Sequence, residues 1–318
     1  MNETFVAINV LKRAMQTPTS LKLRLLTIVL AFCGVLSPAT AGKSERLVRI
    51  PALHAGQKFV YRVRVQTKKA TRSESRIASS SLPEGQNSDT ERWLSVEIKS
   101  VQGAAGDTRI AMRTRLLPVG GAAQTAGEDE VVEFTLLEDG RGSDLQGFDA
   151  LSADEQAVWR QWLAQFALGW TFPPKGVKPG EKWRREDPVV GTALDRLVWE
   201  KRYEYVRNEP CPQRGDNGSA AKTAEPCAVV VTTTAMKQHG AHDDTTPDDY
   251  KVHQLKTSGT AQGKSGVITF ISLRSGFVER ATEDSAQTLD VLIAKADDSN
   301  KVHFNVDATS HAEVVLLQ

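Results

Sequence analysis

The residues of this 318-residue chain with the best claim to chemistry are His239, His242, Asp243 and Asp244. Two imidazoles and two carboxylates make a donor set that suits zinc or another divalent ion. The histidines stand three apart beside Gly240, inside a polar, acidic stretch from Gln238 to Asp249. Nothing in that stretch enforces ligand geometry, so it reads as a solvated loop that holds no metal tightly. Gly259-Thr-Ala-Gln-Gly263-Lys264-Ser265 looks like a phosphate loop. It has one residue too few between its glycines, and a strand follows it where a helix is needed. No G-x-S-x-G nucleophile elbow occurs. Arg214-Gly-Asp216 has the form of an adhesion tripeptide, and three residues match by chance too often to carry a function. The carboxylates Asp243 and Asp244 are adjacent, with no desolvated partner to drive their pKa values apart. No catalytic residue and no cofactor emerge from this survey.

The elements that would have to position any site centre on Leu151 to Glu186, which holds four of the six tryptophans: Trp159, Trp162, Trp170 and Trp183. Ser152 and Glu155 form an S-x-x-E capping box, and Asp154 and Glu155 put negative charge in the first turn. Val158, Trp159, Trp162, Leu163 and Phe166 follow at helical spacing, which predicts a helix over 152–168. Gly169 is placed to end it, and Pro173-Pro174 prevent continuation. Trp159, Trp162, Phe166 and Trp183 are thereby candidates for an aromatic core or, alternatively, for a ligand platform.

Before and after this helix the sequence reads as short strands. Phe59, Tyr61, Val63 and Val65 alternate with Arg62 and Arg64. Leu94, Val96 and Ile98 alternate likewise, and so do Ile110, Met112 and Leu116, with Arg109, Arg113 and Arg115 on the opposite, solvated face. Thr67 to Asp89 is polar and Ser-rich and reads as a loop. Beyond the helix, Leu197, Trp199, Tyr203 and Tyr205 alternate with charged residues, and 228–236 is β-branched. Val252 to Thr260 reads as one strand. Val267–Leu273 and Phe277–Thr282 form a hairpin, and Leu289–Ala294 and Val302–Val306 form another. The fold class is mainly β: curved antiparallel sheets, half-barrel or barrel-like, with one central helix.

Lys22 and Arg24 precede an apolar run from Leu25 to Leu36 and a Pro-Ala39-Thr-Ala41 cleavage pattern. This is a secretory signal peptide, too short to remain as a membrane span. Residues 1–41 carry Lys12, Arg13, Lys22 and Arg24 against Glu3, so cleavage after Ala41 turns the net charge of +1 into −2. Without a clustered basic face the mature chain has no nucleic-acid signature. It keeps two cysteines, Cys211 and Cys227, an even count that predicts a disulfide in a periplasmic or extracellular compartment.

Two short motifs recur. Gly56-Gln-Lys-Phe59 matches Gly180-Glu-Lys-Trp183, and Phe134-Thr-Leu-Leu-Glu-Asp-Gly140 matches Phe270-Ile-Ser-Leu-Arg-Ser-Gly276. They outline a first β unit over 42–150, a helix over 151–169 and a second β unit over 170–318, either duplicates or, since glycine turns after strands are common, chance matches, and either separate or parts of one continuous domain. The run Pro173-Pro-Lys-Gly-Val177-Lys-Pro-Gly180-Glu-Lys-Trp183, with a G-x-x-aromatic opening near the mature N-terminus, resembles a group of poorly characterised exported bacterial β-rich proteins. The resemblance implies an envelope location and no particular activity. The expectation is a non-enzymatic binding or structural protein with an apolar, lipid, glycan or protein partner. The alternative is a hydrolase or metal-dependent enzyme whose site is assembled across strands.

Overall fold

In the computed structural model, residues 46–75, 85–103, 107–117, 119, 130–189, 192–212, 225–239, 245–297 and 300–317 are described. Their strands are β1 (Lys58–Ser75), β2 (Gln86–Gln102), β3 (Arg109–Leu117), β4 (Val131–Leu137) and β5 (Gly142–Gln146), followed by β6 (Lys182–Pro188), β7 (Leu197–Pro210), β8 (Pro226–Gln238), β9 (Leu255–Ser272), β10 (Val278–Lys295) and β11 (Val302–Leu316). All eleven form one antiparallel sheet, in the order β5-β4-β3-β2-β1-β11-β10-β9-β8-β7-β6. Each strand lies beside its sequence neighbour except β5 and β6, which are the two edges. The first and last strands pair in the middle, from Tyr61 opposite Leu316 to Ser75 opposite Val302. Register shifts at Ile98/Ser100, Glu133/Thr135, Tyr205/Arg207 and Val278/Arg280 add the bends that curve a sheet.

Helix α1 (Ala153–Phe166) lies on the concave side, and a 3-10 turn (Ala167–Thr171) continues it. Its start is the expected capping box: the Glu155 amide donates to Ser152 Oγ, and the Ser152 amide donates to Glu155 Oε2 at 3.0 Å. Its apolar face meets alternate residues of the sheet, including Tyr61, Val63, Leu94, Met112, Phe134 and Val314, all buried. Trp162 is fully buried, with ring centroids 6.3 Å from Tyr61, 6.2 Å from Phe134 and 5.1 Å from Phe166. Trp159 donates from Nε1 to Thr114 Oγ1 at 2.9 Å, which satisfies its one polar group inside the core. Gly169 does not end the helix through a left-handed turn. A Cβ there would lie 3.0 Å from Pro51 Cδ, so the glycine lets the 3-10 turn pack against the N-terminal segment.

The sheet is unclosed, and the segment from Leu163 to Phe172 occupies the gap between its edges. Gly140, in the turn after β4, packs on Ala167 and Trp170, while Phe172 meets the edge of Trp183 in β6 at 5.4 Å. Arg185 of β6 reaches the same turn and donates from Nη1 to the Asp139 carbonyl at 2.6 Å. Outward-facing positions are charged and cross-linked, as in Arg64 with Asp89 and Arg62 and Arg280 with Glu313. Among the described residues no helix is long and apolar enough to cross a membrane.

The strands are longer than their hydrophobic patterns. The stretch read as a loop over 67–89 instead extends β1 to Ser75 and starts β2 at Gln86, because Thr67 to Lys69 pair with β2 and with β11 at once. The separate strands expected over 252–260 and 267–273 are one strand, β9, and those over 277–282 and 289–294 are one strand, β10. Their polar middles are held by neighbours on both sides rather than by burial. The two matching openings are built alike. Gly56 and Gly180 have φ of 81° and 85°. Gly56 donates to the Ile98 carbonyl, and the Ile98 amide returns a bond to Gln57; Gly180 and Glu181 make the same exchange with Tyr205. Each partner residue directly precedes a register shift.

Candidate functional site

The concave face carries two apolar clusters with a polar zone between them. The lower is the core around α1. The upper packs Ala193, Leu194, Leu197 and Tyr250, the last from the short helix α2 (Asp248–Val252), against Ala261, Val291, Ile293, Phe304 and Val306. Between them one register row crosses seven strands. Lys201 pairs with Thr234, Thr234 with Ser265, Ser265 with Ser285, Ser285 with Ser310, Ser310 with Thr67, and Thr67 with Ser88. These positions share the parity of the core-facing Tyr203, Val230, Val267, Ala281, Ala312, Val65 and Leu94, so they project to the same side. Every member of this row is half-exposed; the row below is buried except at Glu283 and Thr90, and the row above is half-exposed or exposed except at Lys69. Among the described residues, no side-chain hydrogen bond engages its six hydroxyls. At a strand spacing of about 4.8 Å they form a belt on the order of 24 Å long.

The row above contributes Trp199, Met236, Gly263, Gln287, Ala308 and Lys69. A Cβ on Gly263 would come within 2.7 Å of Trp199 Cη2, so the indole lies over a position that only glycine leaves open. Lys69 is nearly buried, and that burial pulls its amine down to about 8 against the opposing pull of Asp154. In the row below, Glu283 accepts from Gln161 Nε2 of α1 at 2.9 Å. The open-edge end of the belt is electrically closed. Lys201 Nζ lies 3.0 Å from Asp187 Oδ2, and Arg185 Nε donates to Asp187 Oδ1 at 2.6 Å. Burial pushes the Asp187 carboxyl up, but Lys201 and Arg185 outweigh it and hold it below the usual carboxylate range. Burial pushes the neighbouring Tyr203 phenol up to about 12, with Asp187 adding to the shift.

The residues singled out from sequence fall elsewhere. His239 is exposed just past β8, its amide bonded to the Arg196 carbonyl, while His242, Asp243 and Asp244 lie outside the described residues. So do residues 1–41, read as a signal sequence, and the Arg214-Gly-Asp216 tripeptide. Among the described residues no group of three or more His, Cys, Asp or Glu side chains is placed to hold a metal. Cys211 and Cys227 are joined by a disulfide with Cα atoms 4.9 Å apart. Trp159, Trp162 and Phe166 are core, and Trp183 is half-buried, stacked on Tyr203 at 5.1 Å. Gly259, Gly263 and Ser265 of the apparent phosphate loop stand inside β9. The hydroxyl belt itself escapes a reading of one strand at a time. Ser265, Ser285 and Ser310 are isolated serines until the register aligns them.

The fold is thus a curved, unclosed antiparallel sheet that carries one helix on its concave side. No family model matches the chain, and no curated protein matches it. Among solved structures it is similar to the outer membrane protein OprG from Pseudomonas aeruginosa, at 9% identity over 83% of this chain and 97% of that chain, with a TM-score of 0.18. At that score the two backbones do not superpose as one fold.

Proposed function

We propose that this chain is an exported, non-enzymatic envelope protein that binds a ligand on the concave face of its sheet, beyond α1. The observation that carries this reading is the belt: six half-exposed hydroxyls without side-chain partners among the described residues, aligned in one row between two apolar clusters. Half-exposed hydroxyls aligned in this way are open to water or to a ligand that both donates and accepts. The Cys211–Cys227 disulfide supports an oxidising compartment. The matching geometry at Gly56 and Gly180 supports reading residues 42–150 and 170–318 as two copies of one β unit, joined through 151–169. The test is native mass spectrometry of protein isolated from its own envelope, with Trp199→Ala beside the wild type. Bound material that disappears in the variant, at unchanged thermal stability, is the expected result. Turnover of an ester, glycoside or peptide, abolished by one substitution that leaves the fold intact, would refute the non-enzymatic reading.

A further inference from the structure

Resting on that reading, we infer that the ligand is an extended glycan, lying across the strands along the belt with one sugar ring on Trp199. Three features select this class. A hydroxyl both donates and accepts, so a row of them suits a ligand that does the same at every unit, as a polyhydroxylated chain does. Carboxylates and phosphates are recognised instead by charged donors. The cation at the end of this row, Lys201, is already paired with Asp187, which leaves no uncompensated positive charge there for an anion. A lipid tail would need an apolar wall, and the apolar clusters above and below the belt are occupied by their own side chains.

The second feature is spacing. Neighbouring hydroxyls repeat at the strand separation of about 4.8 Å. That repeat is close to the advance of one pyranose unit along an extended glycan, so successive sugars would meet successive strands. The third is the indole. Trp199 is half-exposed and lies over Gly263, one register row from Lys201 and Ser265. A tryptophan face offers the apolar, quadrupolar surface on which the C–H face of a pyranose packs. Gln287, opposite Gly263, is exposed on the same side and can donate or accept through its amide.

The experiment is isothermal titration of the mature protein with a β-1,4-linked N-acetylglucosamine hexamer and, separately, with maltohexaose. It is repeated on a Ser265→Val/Ser285→Val double variant and on Trp199→Ala. Valine is a better strand former than serine, so the double variant keeps the sheet. Its integrity is checked by far-UV circular dichroism and thermal midpoint. The expected result is saturable binding of at least one hexamer, weakened about tenfold or more by the valines through the loss of two hydroxyl partners and also weakened by Trp199→Ala. Binding unchanged in the folded double variant overturns the proposal, and so does no binding of either hexamer by the wild type. In that last case, envelope material held by the wild type and lost from the double variant would leave the binding reading standing with another ligand class. Material held equally by both, or by neither, would remove the belt from both readings.

Discussion

Replacing Trp162 by alanine tests whether α1 is the core of the molecule or a mobile cover on it. The side chain is fully buried and meets Tyr61, Phe134, Trp159 and Phe166 with centroids 5.1 to 6.3 Å away. Its Nε1 has no hydrogen-bond acceptor among the described residues, so truncation breaks packing and no hydrogen bond. Trp-to-Ala changes in a core cost about 3–5 kcal/mol, and four aromatic neighbours place this site towards the upper end. Against a domain stability of about 5–15 kcal/mol this is a large fraction, yet not sufficient by itself to unfold the chain. With a urea m-value of about 2–3 kcal/mol/M, the midpoint should fall by about 1–2 M. Far-UV circular dichroism is the probe of choice, since tryptophan fluorescence changes with the substitution itself. Trp162→Phe, which keeps an aromatic ring in the same place, should lose less than half as much. A midpoint shift below about 0.3 M with an unchanged slope would refute the argument and make the helix separable from the fold.

Four further outcomes follow from the described geometry and sequence. Replacing both Cys211 and Cys227 by serine should cost about 3 kcal/mol in the chain-entropy model, read as a lower urea midpoint that matches the reduced wild type; the cysteines are 16 residues apart. Lys69, held at about 8 by burial, binds its proton less tightly in the folded than in the unfolded chain, where the value is about 10.4. Stability should therefore rise as pH climbs from about 8 towards 10, and Lys69→Met should flatten that rise in thermal midpoints. Tyr203 and Tyr205, pushed up to about 12 by burial, act in the opposite sense. Their contribution is complete below the unfolded value of about 10 and lost above it, so wild-type stability should turn over near there. Finally, N-terminal sequencing of exported protein should begin at Gly42-Lys43-Ser44, and a chain that retains residues 25–36 would contradict the cleavage assignment.

How much was legible in the sequence depended on whether the signal was local. The capping box, the aromatic stripe of α1 and the paired cysteines are encoded within a few residues, and each is found where its chemistry placed it. The strand ends were misplaced where side chains on both faces are polar. From Thr67 to Ser75 and from Thr282 to Thr288, alternation fails because the concave positions are polar, whether buried as at Lys69 and Thr71 or open as at Thr67, Ser285 and Gln287. Neither the pairing of β1 with β11 nor the alignment of Thr67, Ser285 and Ser310 could be read locally, because both depend on register between segments some 240 residues apart in sequence.

That pairing has a consequence for how the protein is made. A chain made N-terminus first presents β1 early, while its central neighbour β11 comes last. Until then β1 exposes an unpaired edge of eighteen residues, a template for adventitious pairing with other chains. The two wings of the sheet can each zip up as local hairpins, but they join only through contacts of very large sequence separation, which are slow to form. Synthesis thus delivers two half-sheets whose docking is the late, vulnerable step. A holdase that shields β1 in that interval would raise the yield of folded protein without changing its final stability.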